Sequence, residues 1–240
     1  MVDANRLDSA LPPEHRVAAE LEGCESILVL GTAGRSLDLE FQRQVGASLT
    51  RLGERATEAL VEGSVGLVAD ALRAQQVRFR RVPLGGGRLP RNRLGEAAGF
   101  GVVSPVSGLL LHPEYGPWLR VRAAILLEGT PLGEPVDLDR GFGFQPCARC
   151  SQPCVVACSP RALDGVGSCD SARCAAHRRG GGCRVGCDSR IACPVGAEHA
   201  DRPSAPMRAR GPDQVALARG DAGGWWRLLP RTLRRGVCAP

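Results

Sequence analysis

The chain has 240 residues, with 31 basic against 25 acidic side chains for a formal net charge of +6, and its mean hydropathy is −0.10. That length allows one large domain or two small ones at about 100–200 residues each, and no apolar run approaches the ~20 residues of a bilayer-spanning helix, so a soluble chain with no membrane partner is expected. All 31 basic residues are arginine, a bias that a GC-rich coding sequence produces without selection for phosphate binding. Residues 201–240 hold eight arginines against three aspartates, a balance of +5, so the excess charge lies in the tail and is not evidence of a basic patch on a folded surface.

Residues 1–23 read as an N-terminal extension. Asp3, Arg6, Asp8, Glu14 and Arg16 interrupt its first twenty positions and leave no apolar core for a signal peptide. Without export the thiols are expected to stay reduced, which makes the cytoplasm the expected compartment. Residues 24–140 form the first unit, an α/β (α+β) domain. Ser26-Ile27-Leu28-Val29-Leu30-Gly31 is a buried-strand pattern closed by glycine, and a stretch rich in Leu, Ala and Glu predicts a helix over roughly 37–76. Val77-Arg78-Phe79-Arg80-Arg81-Val82 alternates apolar and charged residues, as a half-exposed strand does. The triplet Gly85-Gly86-Gly87 lacks the Lys-Ser/Thr of a phosphate loop and reads as a connector.

Asn92 to Ala98 predicts a short helix stopped by Gly99-Phe100-Gly101. Gly108–His112 and Leu119–Leu127 read as paired strands around the turn His112-Pro113-Glu114-Tyr115-Gly116-Pro117-Trp118, which holds the only tyrosine. This turn is either a cofactor-lining cluster or a β-turn with aromatic packing. Cys24, just ahead of a strand, reads as a small buried side chain and not a ligand.

Residues 141–200 contain cysteine, glycine and arginine with few large apolar side chains, too few to build a core, so the folding of this segment is expected to depend on a bound metal. Nine of the eleven cysteines lie between Cys147 and Cys193. The first run, Cys147-Ala-Arg-Cys150-Ser-Gln-Pro-Cys154-Val-Val-Ala-Cys158-Ser-Pro160, is C-x2-C-x3-C-x3-C-S-P, one residue longer than the bacterial [4Fe–4S] run C-x2-C-x2-C-x3-C-P. A second set follows at Cys169, Cys174, Cys183, Cys187 and Cys193, the last again before a proline. In two-cluster ferredoxins the fourth cysteine of a run ligates the other cluster. A crosswise assignment follows, with Cys147, Cys150, Cys154 and Cys193 on one cluster, and Cys158, Cys183, Cys187 and one of Cys169 or Cys174 on the other. Zinc is the competing metal, with His177 and His199 as nitrogen donors. Structural zinc sites, however, separate their ligand pairs by a dozen or more residues, whereas four cysteines here fall within a dozen.

The order Arg93-Leu94-Gly95-Glu96-Ala97-Ala98-Gly99-Phe100-Gly101, then Gly108-Leu109-Leu110-Leu111, then Pro113-Glu114-Tyr115-Gly116, then the double cysteine motif, resembles the epoxyqueuosine reductases and the related reductive dehalogenases. The resemblance covers about residues 80–195, and more loosely the strand near 26–31. It implies an incomplete nitroreductase-like α/β domain that holds cobalamin, followed by a ferredoxin-like module whose two [4Fe–4S] clusters feed it electrons. The chain would then be an oxidoreductase with a redox partner or electron donor, and the closest branch of the family implies a tRNA substrate. Asp170-Ser171-Ala172-Arg173-Cys174 resembles the family's approach to its fifth cysteine, which selects Cys174 over Cys169. The expected metal ligands are thus Cys147, Cys150, Cys154, Cys158, Cys174, Cys183, Cys187 and Cys193.

The chain departs from that family at four places. The N-terminal part is shorter. The acidic residue that the reductases place about a dozen positions ahead of the AGxG segment falls near Gly85, and neither Asp nor Glu occurs between Leu84 and Glu96, so no catalytic residue is assigned. Where the family reads like I-G-K-N, this chain has Val102-Val103-Ser104-Pro105. A cysteine expected between Cys187 and Cys193 is missing, and Cys183 substitutes from upstream. The alternative function is a zinc-stabilised binding module with a basic tail. That tail, rich in Pro and Gly over 201–240, is expected to be disordered, with Trp225-Trp226 as its docking residues.

Overall fold

The computed structural model describes residues 1–9, 11, 16–34, 53–82, 89–135, 143–183 and 186–200. The glycine triplet at 85–87, the first part of the helix expected from residue 37, and the 201–240 tail with Trp225-Trp226 and Cys238 lie outside the described residues. Among the described residues no helix is long and apolar enough to cross a membrane.

The centre of the molecule is a four-stranded antiparallel sheet in the order β1 (Val2–Asp3), β2 (Cys24–Ala33), β6 (Leu119–Glu128), β3 (Phe79–Val82). β6 is nearly continuous in apolar residues because both of its faces are covered, and Ile125, Leu126 and Leu127 are wholly buried. On one face Ala123, Ile125 and Leu127 meet Val65 and Leu72 of helix α2 (Gly53–Ala74). The stripe Val61, Val65, Val68, Leu72 recurs at the helical period and points this side of α2 at the sheet. On the other face Val121, Ala124 and Leu126 pack with Ile27, Val29, Val82, Leu94 and Leu110.

Leu30 pairs with Ala123 but Gly31 pairs with Val121, leaving Arg122 as an extra residue on β6. Such a bulge reverses the alternation of faces. It is why Val121 shares a face with Ala124 and not with Ala123, and Arg122 is steadied by Thr32, whose Oγ1 accepts from its Nε at 2.9 Å.

Within the 1–23 segment, expected to be an extension, residues 2–9 and Val17 belong to the sheet and its core. β1 pairs with β2, and Val2, Leu7 of α1 (Ala4–Ser9) and Val17 are buried in the core. The Asp8 carboxylate accepts from the Val17 and Ala18 amides at 2.7 and 3.0 Å, closing this segment back on itself.

Helix α3 (Arg91–Ala97) sits one residue from its expected start, and Gly99 beyond it takes the left-handed conformation expected of a helix stop. The pairing expected between 108–112 and 119–127 does not occur. β5 (Leu110–Leu111) pairs with β4 (Val102–Val103), while β6 pairs with β2 and β3. Both edges of β6 are taken by longer partners, so the short β4–β5 ladder stacks over the sheet as a second layer. Leu94 and Leu110 fill the space between the layers.

Candidate metal centre

The β4–β5 hairpin is clamped by α3. The Glu96 carboxylate accepts from the Val103 amide at 2.7 Å, and the buried Asn92 side chain donates to the Gly108 carbonyl at 2.8 Å. Both bonds hold the loop Ser104–Leu109, which lines a small cavity of about 20 Å³. The same cavity is lined by Cys147, Cys150, Cys154 and Cys193 as well as by Val106 and Leu109 of the hairpin.

Local geometry explains how four distant positions converge. Cys147 and Cys150 bracket a turn in which the Cys150 amide donates to the Cys147 carbonyl at 3.4 Å. Gln152 then adopts φ +59 and starts helix α4 (Pro153–Val156), with proline in the first turn, where no amide donor is lost. Cys154 lies on α4. Cys193 arrives from helix α6 (Asp188–Ile191), which packs on α4.

Backbone contacts tie the cysteine segment to the first domain. The Gly167 amide donates to the Val106 carbonyl at 3.0 Å. The Val195–Gly196 backbone lies directly on the Tyr115–Gly116 backbone, so closely that a Cβ on Gly116 would stand 1.9 Å from the Val195 carbonyl oxygen. The aromatic side chains of the turn 112–118 pack on one another and on the cysteine segment. His112 and Tyr115 stack with ring centres 4.9 Å apart, Tyr115 meets the edge of His199 at 4.7 Å, and Trp118 is buried. Burial lowers the His112 pKa, outweighing the nearby Glu114 carboxylate.

Electrostatics divide the thiols into two sets. Burial pushes the Cys154 pKa up, and the charges of Cys193, Cys147 and Cys150 push it further. Cys193 is likewise raised by burial, with Cys147 and Cys150 as its charged neighbours. In the second set burial holds Cys174 up at about 11, with Arg178 opposing and Cys187, Cys183 and Cys158 adding to the rise. Cys183 is raised chiefly by burial, against a backbone hydrogen bond to Asp188 and with the charges of Asp188 and Cys187. Burial and neighbouring thiols oppose ionisation at Cys154 and Cys193 in the first set and at Cys174 and Cys183 in the second, an opposition that a bound multivalent cation would relieve by taking up the negative charge.

The second set is built on helix α5 (Ser171–Arg179), whose cap residue Asp170 accepts from the Arg173 amide at 2.9 Å. Cys174 lies on α5, and Cys158 accepts from the Ala162 amide at 3.3 Å. Cys183 follows the Gly180-Gly181-Gly182 bend in a left-handed conformation, and Cys187 caps α6. Where a further cysteine was expected between Cys187 and Cys193, α6 instead places the buried residues Ser189 and Arg190. Cys24 is buried in β2, away from both sets, its thiol directed at the Ser26 carbonyl at 3.7 Å.

Cys169 is disulfide-bonded, whereas the other described cysteines are free, an exception to the expectation of uniformly reduced thiols.

Two residues near the sulfurs escaped the sequence reading. The Ser104 hydroxyl is 3.3 Å from the Cys147 sulfur. Donor atoms of His177, Cys183 and Asp188 lie within 4.8 Å of one another, and Ser159 donates to Asp188 at 2.7 Å. Asp188 directly follows the expected ligand Cys187, but Ser104 is 43 residues from Cys147 and no local pattern joins them. The position near Gly85, where the family's acidic residue would fall, lies outside the described residues.

No protein-family model matches the chain, and no curated protein does. Solved structures do. The epoxyqueuosine reductase from Bacillus subtilis superposes at a TM-score of 0.53 and 19% identity over 80% of this chain and 54% of its own. A selenomethionine-labelled epoxyqueuosine reductase gives 0.55 and 17% over 92% of this chain and 66% of its own. A third, solved with an epoxyqueuosine-modified tRNA stem loop, gives 0.54 and 19% over 80% and 54%. The chain therefore has the fold of the epoxyqueuosine reductase structures over most of its own length, while spanning 54% to 66% of theirs.

Proposed function

We propose that this chain is an iron–sulfur redox protein. One [4Fe–4S] cluster would be held by Cys147, Cys150, Cys154 and Cys193, the other by Cys158, Cys174, Cys183 and Cys187, and the pair would pass electrons to a reductase-type reaction. The observation that carries the reading is the convergence of Cys147, Cys150, Cys154 and Cys193 on one cavity, although Cys193 lies far along the chain from the other three. Soft thiolate sets of this kind suit iron–sulfur clusters and zinc, and the C-x2-C-x3-C-x3-C spacing favours the former. When bound, each cluster supplies one-electron storage at a potential set by its surroundings.

The chain's own contribution is to hold the sulfurs and to exclude water with Val106 and Leu109. Cobalamin, implied by the sequence resemblance, is assigned no residues. No step is routed through it. The electron acceptor is a reducible substrate or a redox partner. A tRNA stem loop enters as a candidate substrate because one of the structures of similar fold was solved with one. A cytoplasmic setting is in keeping with free thiols at every proposed ligand.

The decisive measurement is iron, sulfide and zinc content of anaerobically purified protein, with its visible spectrum before and after dithionite. About eight irons and eight sulfides per chain, bleaching on reduction, are expected. Cys150→Ala should remove about half of that iron, and unchanged iron content would defeat the ligand assignment. A second reading rests on the His177, Cys183 and Asp188 donors, which form a mixed set of the kind that zinc accepts. Stoichiometric zinc without sulfide would establish it and remove the redox function.

A further inference from the structure

Ser104 belongs to the first domain, stands in the stretch where this chain departs from the family it resembles, and is only 1% exposed. A serine hydroxyl has two acceptor lone pairs and one proton. Both lone pairs are committed, since Oγ accepts from the Val106 amide at 3.2 Å and from the Ser107 amide at 3.0 Å. The Ser104 backbone is fixed as well: its amide donates to the Leu109 carbonyl at 2.8 Å and its carbonyl accepts from the Gly108 amide at 3.0 Å. One group remains for the hydroxyl proton, the Cys147 sulfur at 3.3 Å. A metal-bound thiolate has no proton of its own, so in the loaded protein the direction of this bond is settled: oxygen donates and sulfur accepts.

We infer that Ser104 is a positioning residue that sets the reduction potential of the metal centre on Cys147, by holding its hydroxyl proton against that sulfur. The inference rests on the iron–sulfur reading of that centre. Reduction adds one negative charge to the cluster and its sulfurs, which strengthens a hydrogen bond donated to them, so the bond stabilises the reduced form and raises the potential. The donor is a side chain from the first domain, so the contact between that domain and the cysteine segment becomes an electronic setting as well as a mechanical one. In the second set, the donor to Cys158 is the Ala162 amide, from within the cysteine segment itself.

The test is a redox titration of the iron-replete full chain followed by electron paramagnetic resonance, for the wild type, Ser104→Ala and Ser104→Thr, with iron and sulfide measured on each. In Ser104→Ala one of the two centres should move to a more negative potential, so that its reduced-to-oxidised ratio at a fixed potential falls roughly two- to tenfold. The other centre should stay in place, and Ser104→Thr, which keeps the hydroxyl, should titrate close to the wild type. Pulsed resonance on the wild type in D2O should show an exchangeable deuteron strongly coupled to that centre. If Ser104→Ala fails to hold iron, Ser104→Gly takes its place, and loss of one coupled deuteron relative to the wild type separates the hydroxyl from the Val155 and Val195 amides at the neighbouring sulfurs. Iron-replete Ser104→Ala with unchanged potentials, an equal shift of both centres, or a wild type without the coupled deuteron would each overturn the inference while leaving the clusters in place. A wild type without cluster iron would overturn the underlying reading, and this inference with it.

Discussion

Cys24 shows what burial does to a thiol that has no metal to serve. Enclosed in β2, it has its pKa raised from 9.0 to about 11, chiefly by burial, with Asp8 and Glu25 adding to the rise and a hydrogen bond to the Leu127 backbone opposing it. The folded form therefore keeps the thiol protonated where the unfolded chain ionises it. A raised folded pKa contributes stability that is fully present below the unfolded value of 9.0 and is lost as pH climbs toward about 11. Denaturation midpoints should fall between those two pH values in the wild type and fall less in Cys24→Ala. Parallel pH profiles for the two proteins would show that Cys24 does not carry this term. The same burial at Cys174, in a cluster of thiols, has the opposite functional meaning, because there a metal can take the charge that burial penalises.

Among the elements, the turn between β5 and β6 does more than reverse the chain. Gly116 has φ +51, and its missing side chain is what lets the Val195–Gly196 backbone lie against it. Gly116→Ala should cost about 1–2 kcal/mol for the left-handed conformation alone, and more through displacement of the segment that ends in Cys193. The control is Gly129→Ala, at φ +62 with open space around it, which carries the conformational cost only. Melting temperature and iron content should both fall in Gly116→Ala, whereas Gly129→Ala should lose some melting temperature and keep its iron. Equal iron retention in the two would show that the backbone contact at Gly116 does not position Cys193. The sequence marked this turn by its Pro113-Glu114-Tyr115-Gly116 pattern but left its purpose open, since the partner backbone comes from 79 residues further on.

On the scale of the whole molecule, the two halves hold their shape by different means. The sheet, α2 and the β4–β5 layer bury a conventional apolar core, whereas the segment from Cys147 to Gly196 contributes few buried apolar side chains, Ala162 and Ala175 among them. On the proposed iron–sulfur reading, metal-binding free energy supplies much of the order of such a segment. Chelation of iron under denaturant-free conditions should therefore unfold the cysteine segment, read as a rise in protease cutting between residues 147 and 196, while amide exchange in β6 remains slow. Uniform protection after iron removal would show that the segment folds without metal.

Much of this was written in local patterns. The strand around 26–31, the helix ending near residue 76, the strand closing at Val82 and the helix at 92–98 all recur in the structure within a few residues, because each depends on the period of its own apolar positions. The cysteine spacing pointed to metal for a comparable reason, since ligands within one turn must be near one another whatever the rest of the chain does. What only the tertiary structure decided was long-range pairing: β5 joining β4 and leaving β6 to β2 and β3, Val2–Asp3 entering the sheet, and Ser104 meeting Cys147. The pairing of a strand and the destination of a buried hydroxyl are set by which surfaces remain uncovered once the core has closed. That depends on every other element at once, and no window of neighbouring residues contains it.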